Sequence, residues 1–170
     1  MKRNIRLFII PVVVLFSALS LISFNREKIT VDGAWTIVEL QYVKPDGTAT
    51  STRPVESDVY FSGSHYSFCW TSQSTVTRDW VIADSIKLKR FNQSLVNTGI
   101  FELKDSILTT RAVFALQPMF VNGTAKFACS FRGDTLVLRG LSVISADGIS
   151  LPAYTTGAHF VTKMIRSSRR

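Results

Sequence analysis

Glu39 and Arg111 are the residues whose setting most invites chemistry. Each falls among aromatic and β-branched residues in a stretch that alternates like a strand, TIVELQYV and ILTTRAVFA. An unpaired charge among such neighbours is costly. Paired with each other, the two form a buried ion pair. Unpaired, Arg111 offers a two-pronged donor to the carboxylate of a bound ligand. A third outcome is that they reach the rim and keep their charge in water. Alternation places Trp35, Ile37, Tyr66, Phe68, Trp70, Thr109, Phe127 and Phe131 on the same inward faces. That set describes an apolar, aromatic chamber with few polar groups, as small-molecule sites tend to be. The candidate ligand-binding residues are therefore Trp35, Glu39, Tyr66, Phe68, Trp70, Thr109, Arg111, Phe127 and Phe131.

Other chemistry has less support. His65 and His159 are the only histidines, and no third ligand clusters with either, so no metal and no cofactor is expected. No GxSxG elbow is present, and neither cysteine has a neighbouring histidine and acid in sequence. The chain reads as non-catalytic. Cys69 and Cys129 are either bridged or two free thiols. In HYSFCW, Tyr66, Phe68 and Trp70 share one face and Cys69 takes the other, whereas Cys129 lies with Phe127 and Phe131 in KFACSF. If both aromatic faces point inward, the thiols point to opposite sides of the sheet.

The elements that must position these residues are mostly strands. After Gly33, AWTIVELQYV reads as the first, and Lys44-Pro45-Asp46-Gly47 as a turn. A polar run from Thr48 to Glu56 leads to VYFSG, a turn near Gly63, and HYSFCWTS. The segment Arg78 to Leu95 lacks strand rhythm. Val81, Leu88, Phe91 and Leu95 recur at helical spacing, with Thr77 or Asp79 as cap, and predict a helix of about three turns packed across one end or side of the sheet. Asn97 to Gly140 then holds four strands in hairpin order, with turns at Lys104-Asp105-Ser106, Gln117 to Gly123 and Arg132-Gly133-Asp134. Ser142 to Gly157 is a longer excursion with room for a minor strand pair. His159 to Ile165 is a last strand placed to pair with the first and close a barrel.

The N-terminus carries the targeting signal. Lys2, Arg3 and Arg6 precede the apolar run Leu7 to Phe24, which Asn25-Arg26-Glu27-Lys28 ends. Residues 1–24 are thus a secretory signal peptide or a retained membrane anchor, and the domain is expected to be exported. Residues 25–31 form a linker, 32–166 the barrel and 167–170 a basic tail. The formal charge is +8; the seventeen basic and twelve acidic residues from Asn25 onward leave +5. Three of those charges, Arg166, Arg169 and Arg170, lie at the C-terminus. The rest are scattered, which argues against a nucleic-acid partner.

In its order of motifs the chain resembles the bacterial lipocalin-like domains. The points of similarity are Gly33-Ala34-Trp35, Phe61 with His65-Tyr66-Ser67, Asn97 to Leu103, Leu108-Thr109-Thr110-Arg111, and Phe131 to Leu136. The resemblance spans roughly Asp32 to Ile165. It implies an all-β fold: an up-and-down antiparallel β-barrel of about eight strands, of calycin type, with one short helix between early and middle strands. It also implies a small hydrophobic or amphipathic ligand inside, and brings no catalytic residues. The alternative is a barrel filled by its own side chains that meets a protein or envelope partner through its outer surface. Interior volume separates the two.

Overall fold

The computed structural model describes residues 30–74 and 79–167. Its strands are β1 (Gly33–Val43), β2 (Ala49–Thr52), β3 (Glu56–Ser62), β4 (His65–Thr71), β5 (Ser94–Lys104), β6 (Ile107–Ala115), β7 (Thr124–Arg132), β8 (Thr135–Ile144) and β9 (His159–Arg166). Helix α1 (Asp84–Asn92) lies between β4 and β5, a 3₁₀ turn (Pro118–Phe120) between β6 and β7, and the one-turn α2 (Pro152–Thr155) before β9. From β3 to β9 each strand pairs antiparallel with the next, and β1 pairs with both β3 and β9. The result is a closed eight-stranded antiparallel barrel, with β2 as an extra strand on the second half of β1.

Turn chemistry divides the barrel into two unlike ends. At one end, two-residue hairpins join β3 to β4, β5 to β6 and β7 to β8. Such hairpins need positive φ, which Gly63, Asp105, Ser106 and Gly133 supply. Both described termini meet here: Trp35 lies opposite Arg166, and the Ser167 N–H donates to the Ala34 carbonyl. The Trp35 indole N–H donates to the Val31 carbonyl at 2.7 Å, and the Arg166 guanidinium lies 4.1 Å from the ring centre. Arg166 also donates to the Asp32 carbonyl. The opposite end carries the long connections, including both helices and the 3₁₀ turn.

Three bulges bend the ladder into a closed ring. Val38 is the extra residue in β1, Val113 in β6 and Leu141 in β8. One core fills the interior. Trp35, Ile37, Val59, Phe61, Tyr66, Leu108, Cys129, Leu136, Leu138 and Met164 are buried, with Leu40, Phe68, Trp70, Phe101, Leu103 and Phe127 packed against them. All eight barrel strands contribute.

Several sequence expectations need correction. The helix is shorter than Arg78 to Leu95: it starts at Asp84, with Ala83 and no side chain in the capping role. Asp79 therefore caps nothing, and Thr77 lies outside the described residues. Val81, Leu88 and Phe91 are exposed, so the apolar spacing does not mark a packed face. Instead α1 is tied by an ion pair from Arg90 to Glu56 at 2.8 Å and by the Ser94 hydroxyl, which donates to the Arg90 carbonyl. The polar run from Thr48 holds β2, fully exposed and without strand-forming periodicity. The excursion after Ser142 forms only an isolated bridge, Ile144 to Ser150, before α2. Val31, assigned to the linker, is 1% exposed and belongs to the core.

Gly99 sits beside the Val113 bulge, where a β-carbon would overlap the Arg111 carbonyl and crowd the Val113 amide. Those obstacles are backbone and cannot swing away. Gly99→Ala should cost about 2 kcal/mol or more in chemical denaturation, or prevent folding. Gly47→Ala, in open space at a surface turn with positive φ, should cost less.

Candidate functional site

Each inward register position was a candidate for lining a chamber, and the strands place most of them as alternation predicts. Trp35 and Tyr66 are buried, and Phe68, Trp70 and Phe127 pack against the core. Phe131 faces inward at the hairpin end, its ring 6.0 Å from that of Trp35. The two thiols lie on opposite sides of the sheet: Cys129 is buried inside and Cys69 is half-buried outside, and both are free. Burial pushes the Cys129 thiol up to about 11, so it stays protonated and unreactive at neutral pH.

Glu39, Thr109 and Arg111 do not line the interior. The Val38 bulge reverses the parity of β1, so that Leu40 turns to the core and Glu39 to the outer face. There its carboxylate accepts from Lys163 Nζ at 2.6 Å, Gln41 Nε2 at 2.7 Å and the Ser51 hydroxyl at 2.7 Å. It thereby joins β9, β1 and β2. In β6 the inward residues are Leu108, Thr110, Ala112 and Ala115, all buried, and Arg111 is exposed. Glu39 and Arg111 are not partners; the cation that meets Glu39 is Lys163.

A sequence signal for β6 existed. The two-residue turn Asp105-Ser106 sets Leu103 opposite Leu108 and Glu102 opposite Thr109. With Phe101 and Leu103 facing the core, Leu108 and Thr110 must do so too. Val113, in step with Arg111, is the bulged residue and is 59% exposed.

Among the described residues the interior is packed with side chains. A pocket of about 20 Å³ among the inward residues is lined by Tyr66, Asn97, Thr110, Ala112, Phe120 and neighbours. Ligand pockets run to roughly 300–1,000 Å³. Burial pushes the Tyr66 phenol up, and the neighbouring Thr110 offsets part of that rise. At the loop end, Tyr154 of α2 leans on Gly140, where a β-carbon would overlap its hydroxyl. Its ring lies 6.2 Å from that of Phe160.

Larger features lie outside. A groove of about 250 Å³ runs beside α1, lined by Glu56, Asp58, Cys69, Thr71, Arg90 and Val96 among others. On the outer wall, Ile100, Arg111, Thr124 and Ile144 form one cross-strand row over β5 to β8. Phe114 stands diagonal to Ile100 and is 60% exposed, and Val113 adjoins it. An arginine is thus framed by exposed apolar side chains. Among the described residues, no three His, Cys, Asp or Glu side chains gather into a metal-binding group.

The Lys163, Ser51 and Gln41 contacts hold the Glu39 carboxyl down to about 2, against 4.5 for an ordinary glutamate. A lowered folded-state value stabilises fully above the unfolded value, and the contribution is lost as pH falls from about 4.5 toward 2. With each partner's side chain 29% exposed, the pair is worth on the order of 1 kcal/mol. Thermal unfolding from pH 6 to pH 2 should show Glu39→Gln less stable at pH 6, converging on wild type at the acid end. Arg111→Met, changing an exposed residue, should shift stability by no more than about 0.5 kcal/mol. A larger loss in denaturant titration would restore a structural role for Arg111.

No family model, no curated protein and no solved structure matches this chain.

Proposed function

We propose that this chain is an exported, non-catalytic β-barrel of lipocalin-like architecture that acts through its outer surface, docking a protein partner, and does not carry a ligand inside. The observation that carries this reading is the filled interior: a cavity of about 20 Å³ where a carrier needs hundreds. The expected small apolar ligand has no room among Trp35, Tyr66, Phe68, Trp70, Phe127 and Phe131, which instead build the core.

The outer wall around Arg111 supports the same reading. Ile100, Val113, Phe114 and Ile144 are exposed beside a cation. Apolar surface rimming an arginine has the composition of a protein-binding hot spot, where Arg and aromatics are enriched. The matching partner surface presents apolar side chains around a carboxylate. Export through Leu7 to Phe24 would place that encounter outside the cytoplasm.

Native mass spectrometry of protein purified from its own host tests the interior. The expected spectrum is the bare chain, with no thermal shift across a panel of fatty acids and lipids; a stoichiometric small molecule would overturn the reading. A photo-crosslinker at Phe114 should yield one discrete protein adduct in the host, lost on Arg111→Glu. The same crosslinker at Arg139, elsewhere on the wall, should not.

A further inference from the structure

Asn97 is the polar residue that the filled interior does not account for. It lies on the inward face of β5, opposite Phe68 on one side and Ala115 on the other. Its amide oxygen is sealed from solvent and accepts no hydrogen bond from the protein. A buried acceptor left this way is costly, and folded proteins almost always satisfy it. The cavity of about 20 Å³ that Asn97 lines also holds the side chains of Tyr66 and Thr110, 6% and 7% exposed.

The hydrogen bonds around that space define what it can accept. The Thr110 hydroxyl donates to the Ala125 carbonyl at 3.5 Å. The Tyr66 hydroxyl, which lines the same space, can donate or accept, whereas Asn97 Oδ1 can only accept. An occupant must therefore donate to Asn97 and pair with Tyr66 in either sense. It must also be small, since about 20 Å³ is little more than the roughly 10–15 Å³ that a water needs on this measure. No aspartate or glutamate lines the cavity, so a buried cation would have no counter-charge. These requirements leave one common molecule.

We infer that the barrel binds a single internal water, which donates to Asn97 Oδ1 and bridges it to the Tyr66 hydroxyl. Phe120 of the 3₁₀ turn is among the residues that line the site. The water is thus part of the core, and its exchange with solvent follows local opening of that turn.

A crystal structure at about 1.5 Å resolution, from ammonium-free conditions, should show one peak at hydrogen-bonding distance from both Asn97 Oδ1 and the Tyr66 oxygen. Oxygen-17 relaxation dispersion should count one long-lived water in the wild type. Tyr66→Phe should shorten its residence time. Asn97→Leu should remove it while leaving the melting temperature equal or higher, because the orphan acceptor and its partner leave together. Should Asn97→Leu fail to fold, the wild-type map and Tyr66→Phe still decide. A well-ordered map without the peak, an Asn97 oxygen bonded directly to a protein donor, or a long-lived water that survives Asn97→Leu would each overturn the inference. So would a rise in melting temperature with ammonium chloride that sodium chloride does not match, which would make the occupant a cation.

Discussion

The fold depends on closing a short antiparallel sheet into a ring. β1 must serve β3 on one edge, β9 on the other, and β2 beyond the reach of β3. A uniformly alternating strand cannot bend sharply enough to do so, and a bulge supplies the bend at the expense of one unpaired residue. Val38, Val113 and Leu141 take that part in β1, β6 and β8. Each bulge also reverses the parity of the residues after it. The same device that closes the barrel therefore decides which side chains become core and which become surface.

That decision accounts for the packed interior and the apolar exterior together. Leu40 enters the core because Val38 is bulged, and Glu39 leaves it to be clamped by Lys163, Gln41 and Ser51. Ala112 and Ala115 enter around the Val113 bulge, which turns Val113 and Phe114 out. Small residues at some positions are offset by large ones elsewhere: Gly140 yields its space to Tyr154, and Gly99 lets two backbones approach. An eight-stranded barrel is just wide enough to be filled by side chains or to hold one small ligand. Here Trp35, Phe61, Tyr66 and Met164 lie inside, and the proposed outer-surface role rests on that packing.

Much of this was legible in the chain. The strand run from β5 to β8, the free thiols on opposite faces and the closing role of the last strand follow from alternation and two-residue turns. The inward aromatics of β1, β4 and β7 were readable for the same reason. β2 was not, because ATST carries no hydrophobic rhythm and pairs only where β1 overshoots β3. The helix boundaries are not legible, because Val81, Leu88 and Phe91 face solvent, where no burial enforces a period. Alternation alone reads Arg111 as inward, whereas the register of the Asp105-Ser106 turn sets it on the opposite face. The orphaned oxygen of Asn97 had no sequence signal, since its lack of a partner depends on what surrounds it.

Taken alone, the order of residues determined the class of fold, the strands of the barrel and its tight turns, because these depend on local φ preference and period-two burial. Tertiary structure decided the locations of the bulges, the partner of Glu39, the exposure of Arg111 and the volume left inside. Those four depend on how the strands bend to meet each other. A bulge costs little locally and is repaid only when the ring closes, so nothing in the neighbouring residues has to announce it.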